Sequence, residues 1–293
     1  MTNTASPPLL GGLADVAPLY RALFCDVWGV VHDGTSAHRP ATDALTRFRD
    51  GGGRVILITN APRPKAAVVE MFEGLGVPKE SYDDVVTSGD AARGLLAARP
   101  GVRLYHVGPD RDLPIYFGLR VEFATEDTCE LISCTGLFDD EKETPDDYAE
   151  SFTHWRARGV PMLCVNPDIV VERGERLVWC AGALAERYRE QNGETIIVGK
   201  PYAPIYQTAL ERLAELAGHT IDKASVLAIG DGIDTDIRGA VGQGIDVAFV
   251  TGGIHAAVFG PRDAPDLSAV HALLGTAGLG ARALMTHLSW DRP

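Results

Sequence analysis

The sequence predicts a doubly wound, Rossmann-like α/β core with a second α/β domain inserted into it. Three observations carry that expectation. Short, continuous apolar runs recur at both ends of the chain, as strands buried on both faces of a parallel sheet require. Segments of helical periodicity separate them, giving the strand–helix alternation of α/β folds. The runs end in polar residues beside glycine, at the carboxyl ends where such sheets bind ligands.

In order, Ala22–Cys25 reads as a strand that leads into Asp26. The stretch Thr42–Asp50 reads as a helix stopped by Gly51, Gly52 and Gly53. Val55–Ile58 is the next strand and leads into Thr59 and Asn60. Lys65–Leu75 sets Val68, Val69, Phe72 and Leu75 along one side of a helix that ends at Gly76. From Val86 to Glu194 the pattern changes. Strand-like runs at Val102–Val107, Glu130–Cys134 and Met162–Val165 accompany an acidic loop, Asp139–Glu143. The stretch is long enough for a domain of its own. The expected division is residues 1–85 and 195–293 for the core and 86–194 for the insertion. Pro204–Ala217 then reads as a helix, with Pro204 near its start and Gly218 after its end. Val226–Ile229 leads into Gly230 and Asp231, and Val247–Val250 into Thr251, Gly252 and Gly253.

Composition narrows the function. The 293 residues hold 27 Lys and Arg against 40 Asp and Glu, a formal charge of −13. That balance opposes binding to a phosphate backbone, so no nucleic-acid partner is expected. A small anionic substrate remains open, because a local site can oppose the global charge. No apolar run approaches the roughly 18 residues of a membrane span, and the N-terminal stretch lacks the pattern of a signal peptide. Five cysteines without CxxC spacing read as reduced thiols in a cytoplasmic protein, with no membrane partner. Whether the chain forms a homodimer is open.

The chemistry-bearing segments follow the apolar runs. Gly230–Asp236 (GDGIDTD) offers three carboxylates, the donor type that Mg²⁺ prefers. Read alone, it is equally an Asp-rich turn capping the next helix. Asp26 ends a buried strand, where a carboxylate needs a charge partner, a metal or a proton. Beside a metal it could attack phosphorus. Thr59 could hold phosphate oxygens with its hydroxyl and backbone N–H. Lys200, in VGKP, could offset the crowded negative charge. Each segment is weak alone, since a strand-ending Thr-Asn or a Gly-Lys-Pro is usually a turn or loop. Their joint order is strong.

DVWGV, ITN, GKP and GDGIDTD, in this order, resemble the four motifs of the haloacid dehalogenase superfamily of Asp-nucleophile hydrolases. The insertion lies between the second and third motifs, where the class IIA branch carries a large α/β cap. TSGDAARGLL, CVNPD and CAGAL also look like that branch, which includes nitrophenyl-, pyridoxal- and sugar-phosphate phosphatases. The resemblance implies a Mg²⁺-dependent phosphatase acting on a small phosphorylated metabolite. Asp26 would be the nucleophile, and Thr59, Asn60 and Lys200 would bind phosphate. Mg²⁺ would sit on Asp26, the carbonyl of Trp28, Asp231 and Asp236.

One position departs from the pattern. The family's second Asp of DxD, its acid/base, is Trp28 here, and an indole cannot exchange protons. Three readings stay open. Hydrolysis continues with His32, Asp33 or water assisting; or the chemistry has shifted, as in dehalogenases; or the protein binds a phosphorylated ligand with little turnover. Cys25, Trp155 and Trp179 read as core. Arg63 and His255, near strand ends, read as solvated loop residues or as substrate contacts, and Asn166 and Asp168 as a turn or as part of cap closure or recognition.

Overall fold

The computed structural model describes residues 6–173 and 176–291. The first part of the chain forms β1 (Ala22–Asp26), α1 (Arg39–Asp50), β2 (Arg54–Thr59), α2 (Lys65–Leu75) and β3 (Asp84–Thr87). The middle forms α3 (Ser88–Ala97), β4 (Arg103–Val107), β5 (Glu122–Phe123), β6 (Leu131–Cys134), α4 (Ala149–Arg158) and β7 (Met162–Cys164). It continues with β8 (Val170–Arg173), β9 (Arg176–Trp179), α5 (Ala181–Glu190) and β10 (Thr195–Ile197). The last part forms α6 (Ala203–Ala217), β11 (Val226–Gly230), α7 (Arg238–Gln243), β12 (Asp246–Val250), α8 (Ala256–Phe259), α9 (Leu267–Thr276) and β13 (Ala283–Met285).

Two compact units result. One holds the residues up to Thr59, Val69–Val86 and those from Tyr206 on; the other holds Asn60–Val68 and Thr87–Ile205. The first unit contains a six-stranded sheet ordered β13-β12-β11-β1-β2-β3. β1 pairs in parallel with β11 on one side and β2 on the other. Every residue of β1 and β11 is buried, which explains why their sequences run apolar without alternation. α1 begins three residues before the expected Thr42, because Pro40 is accommodated in its first turn, where the missing N–H has no helical partner anyway.

The second unit has its own parallel sheet, ordered β10-β7-β6-β4-β5, and an antiparallel hairpin of β8 and β9. Trp155, Phe152 and Tyr188 fill its core and are almost fully buried. Trp179 differs from its expected core position. It stands on the hairpin at 39% exposure, with Leu177, two residues before it on the same strand, more exposed still. The second unit also reaches further than the 86–194 expected from sequence. Thr195–Ile197 pairs with β7 in the second sheet, so the edge strand lies beyond Glu194. The segment Asn60–Val68 joins this unit because its loop is bonded to the start of α3. The Ser88 hydroxyl donates to the carbonyls of Asn60 and Ala61, at 2.7 and 3.0 Å.

Candidate active site

The first unit gathers the acidic residues. β1 and β11 are neighbours in register, with Cys25 opposite Ile229, so Asp26 and Asp231 leave the sheet at the same end. Asp26 is opposite Ile58 on its other side, which puts Thr59 at that end as well. Asp236 lies in the wide, π-helical turn Ile233–Ile237, where its N–H donates to the Gly232 carbonyl at 2.8 Å and the Ile237 N–H to the same carbonyl at 3.1 Å. Its carboxylate turns back to accept from the Gly232 N–H at 3.0 Å. Asp231 accepts from the Ile254 N–H at 2.7 Å. Asp26, Asp231 and Asp236 are all buried, and each offers an oxygen within 4.8 Å of the others.

Glycines make this convergence possible. A Cβ at Gly230 would lie 2.2 Å from Cγ of Asp236, and one at Gly253 would lie 1.9 Å from Oδ2 of Asp231. Gly29 has a φ of +80°, and its Cβ would lie 2.4 Å from the same oxygen. The Gly29 backbone therefore lies against Asp231. Like charges at 4.8 Å repel by about 3.5 kcal/mol per pair at an effective dielectric constant of 20, before any partner answers them. Three buried oxygen donors with a backbone peptide beside them fit a hard divalent cation.

The loop after β1 settles what its polar side chains can do. His32 accepts at Nδ1 from the Gly34 N–H at 3.0 Å, which leaves its proton on Nε2. That Nε2 is buried without a partner among the described residues, and the ring meets Phe72 edge-on at 6.0 Å. Burial pushes its pKa down to about 4, with His38 adding to the shift, so the ring is neutral. Asp33 is exposed and accepts from the Thr35 hydroxyl at 2.6 Å and from the N–H groups of Thr35 and Ser36 at 2.9 Å. Those bonds hold its carboxyl well below the usual carboxylate range. Neither is a proton donor at neutral pH. His255 accepts at Nε2 from the Ile233 N–H at 3.3 Å and packs against Phe249 and Phe259. It supports the turn that carries Asp236. Cys25 is fully buried, as expected of a core residue.

The second unit gathers the cationic part. Lys200 follows β10 and is buried. Asn60 accepts at Oδ1 from the Lys200 N–H at 2.7 Å, while its Nδ2 donates to Oδ1 of Asp168 at 2.8 Å and to the Lys200 carbonyl at 3.3 Å. The Asp168 N–H donates to Oδ1 of Asn166 at 3.1 Å. Gly199 is required here, since a Cβ would lie 2.5 Å from Oδ1 of Asn60 and from Cδ of Pro167. The Asn60 side chain thus ties the Lys200 backbone to Asp168. Sequence reasoning missed this link. The only signal was an amide directly after Thr59 and an Asp in CVNPD.

Residues 23–117 match the family of haloacid dehalogenase-like hydrolases, and residues 197–273 match a HAD-hydrolase-like family. A haloacid dehalogenase-like hydrolase from Brucella suis 1330 is 46% identical, with a TM-score of 0.85 over 96% of this chain and 100% of that one. The D-glycerol 3-phosphate phosphatase of Mycobacterium tuberculosis is 28% identical over 256 residues, 84% of this chain and 67% of that protein. A possible sugar phosphatase from Cytophaga hutchinsonii shares the fold at 18% identity, with a TM-score of 0.77 over 95% and 97% of the two chains.

Proposed function

We propose that this chain, which belongs to the haloacid dehalogenase-like hydrolase family, hydrolyses small phosphate monoesters in a Mg²⁺-dependent reaction through Asp26. The observation that carries the reading is the buried trio Asp26, Asp231 and Asp236, with oxygens within 4.8 Å of one another at one end of a parallel sheet. The phosphatase names of the Mycobacterium and Cytophaga relatives support the reaction class.

In this reading an Asp26 oxygen attacks phosphorus, the ester P–O bond breaks, and the alcohol leaves as an alkoxide or phenoxide that takes its proton from water. Water then attacks the acyl phosphate and releases inorganic phosphate and free Asp26. Asp26, the Trp28 carbonyl, Asp231 and Asp236 would hold Mg²⁺, which would supply positive charge that lets a carboxylate approach an anionic ester. Thr59 binds phosphate oxygens, Lys200 neutralises charge developing on them, and Asn60 with Asp168 fixes the Lys200 backbone. The insertion, residues 86–194, is the cap that selects the substrate, and the five buried free thiols fit a cytoplasmic setting.

The loop after β1 favours a second reading in one respect. Trp28 cannot donate a proton, and His32 and Asp33 do not replace the missing acid, so turnover is slow unless the leaving group departs unprotonated. A protein that binds a phosphorylated ligand and rarely cleaves it is the limiting case. Assays of phosphate release from p-nitrophenyl phosphate and a panel of phosphorylated metabolites separate the two. The hydrolase reading expects release that chelation abolishes and Asp26→Asn removes. Release that persists in Asp26→Asn refutes it.

A further inference from the structure

Arg63 is built into the second unit in a way that a solvated loop residue is not. Its loop is fixed by the Ser88 bonds to Asn60 and Ala61, and by the Gly89 N–H donating to the Ala61 carbonyl at 3.2 Å. A Cβ at Gly89 would lie 2.5 Å from the Arg63 carbonyl oxygen, so glycine is what lets α3 start against this loop. Just beyond, the Lys65 N–H donates to Asp90 at 3.2 Å. The backbone under Arg63 is therefore held at both ends.

The guanidinium is oriented by one contact. Its Nε donates to Oδ1 of Asp112 at 3.1 Å, and the Asp112 side chain is only 4% exposed. Arginine frequently takes a buried carboxylate with two nitrogens side by side. Here Nε alone is used, and among the described residues Nη1 and Nη2 have no partner. The side chain is 37% exposed. The end of the fork, the pair of donors that matches a carboxylate or a phosphate, is left presented. Arg63 is also three residues from Asn60, a chain span of at most about 11 Å, and Asn60 is bonded directly to Lys200.

We propose that Arg63 is a specificity-determining residue that binds a second anionic group of the substrate, so that the preferred esters carry a carboxylate or another phosphate besides the one cleaved. Asp112 is its positioning residue. The proposal rests on the reading of Lys200 as a phosphate-binding residue.

The test is calorimetric, on the full-length chain carrying Asp26→Asn so that no ester is consumed. Glycerol 3-phosphate is the probe with an uncharged tail, 3-phosphoglycerate carries a carboxylate, and fructose 1,6-bisphosphate carries a second phosphate. Both doubly anionic probes should bind more tightly than glycerol 3-phosphate, the carboxylate and phosphate arms showing which oxyanion the fork prefers. Adding Arg63→Met should lower the ratio of affinities, doubly over singly anionic, by about ten- to a hundredfold, the scale of a lost charged hydrogen bond. Arg63→Met leaves Asp112 buried without its cation and can fail to fold. Arg63→Met combined with Asp112→Asn removes both charges and should show the same fall. A ratio unchanged in the folded variants, or an equal loss for all three probes, overturns the proposal. Because binding is read without turnover, a failed hydrolase reading would leave this result interpretable.

Discussion

The two parallel sheets of the molecule both present polar residues beyond their carboxyl ends, but they position them by opposite means. In the first unit, Asp26 and Asp231 leave adjacent strands in register, and close approach is obtained by leaving out side chains at Gly29, Gly230 and Gly253. In the second unit, Lys200 is held by a side chain 140 positions away, through the Asn60 amide and Asp168. Strand register with omitted side chains collects the anions, whereas holding the cation's backbone takes a network of directed hydrogen bonds. The first arrangement should therefore fail abruptly when one group changes, and the second by degrees.

The largest effect expected is on the acidic side. Asp26→Asn should lower phosphate release on the order of a thousandfold or more in steady-state assays, because an amide neither attacks phosphorus nor carries the charge that binds a cation. The same unit should also be sensitive to acid through His32. Above about pH 6.5 the ring is neutral whether folded or unfolded, and its burial is fully compatible with the fold. Below that, the unfolded chain takes up a proton that the folded chain refuses until about pH 4. Stability should fall across that window by about 3 kcal/mol. Denaturant unfolding of wild type and His32→Gln at several pH values checks this, since the variant should lose that part of the slope.

The network in the second unit should yield more gently. Asn60→Ala should cost about ten- to a hundredfold in kcat/KM, since Lys200 stays in the chain but loses the bonds that hold its backbone. Kinetics of the folded variant would show this as a graded loss, in contrast to the abrupt loss in Asp26→Asn. The smallest effect expected is a gain. Trp28→Asp restores an acid beside the nucleophile and should raise turnover of alkyl phosphates by about tenfold, with little change for aryl phosphates, whose leaving groups need no proton. Thermal unfolding measured alongside guards against the cavity that a lost indole leaves.

The contrast between the units also separates what was legible in the sequence from what was not. The strand ends carrying Asp26, Thr59 and Asp231 were legible because a doubly buried strand is written as a continuous apolar run, and its last residue can be counted. The close approach that Gly230 and Gly253 permit shows only in the structure. The bonds of Asn60 to Lys200 and of Arg63 to Asp112 were not legible, because each joins distant segments whose neighbours are chosen by the tertiary fold. The same holds for Thr195–Ile197, whose three residues suit either sheet by composition and pair with β7. Trp179 was misplaced because side chains alternate along β9, and Val178 rather than Trp179 takes the buried face.

The central claim is that Asp26 takes the phosphoryl group with a divalent cation in place. Mass spectrometry of the protein, acid-quenched during incubation with p-nitrophenyl phosphate and Mg²⁺, tests it most directly. One phosphoryl group on the peptide containing Asp26, absent when Mg²⁺ is chelated, is the predicted result. Phosphate release with no label at Asp26, or a label that forms equally without the cation, would contradict it.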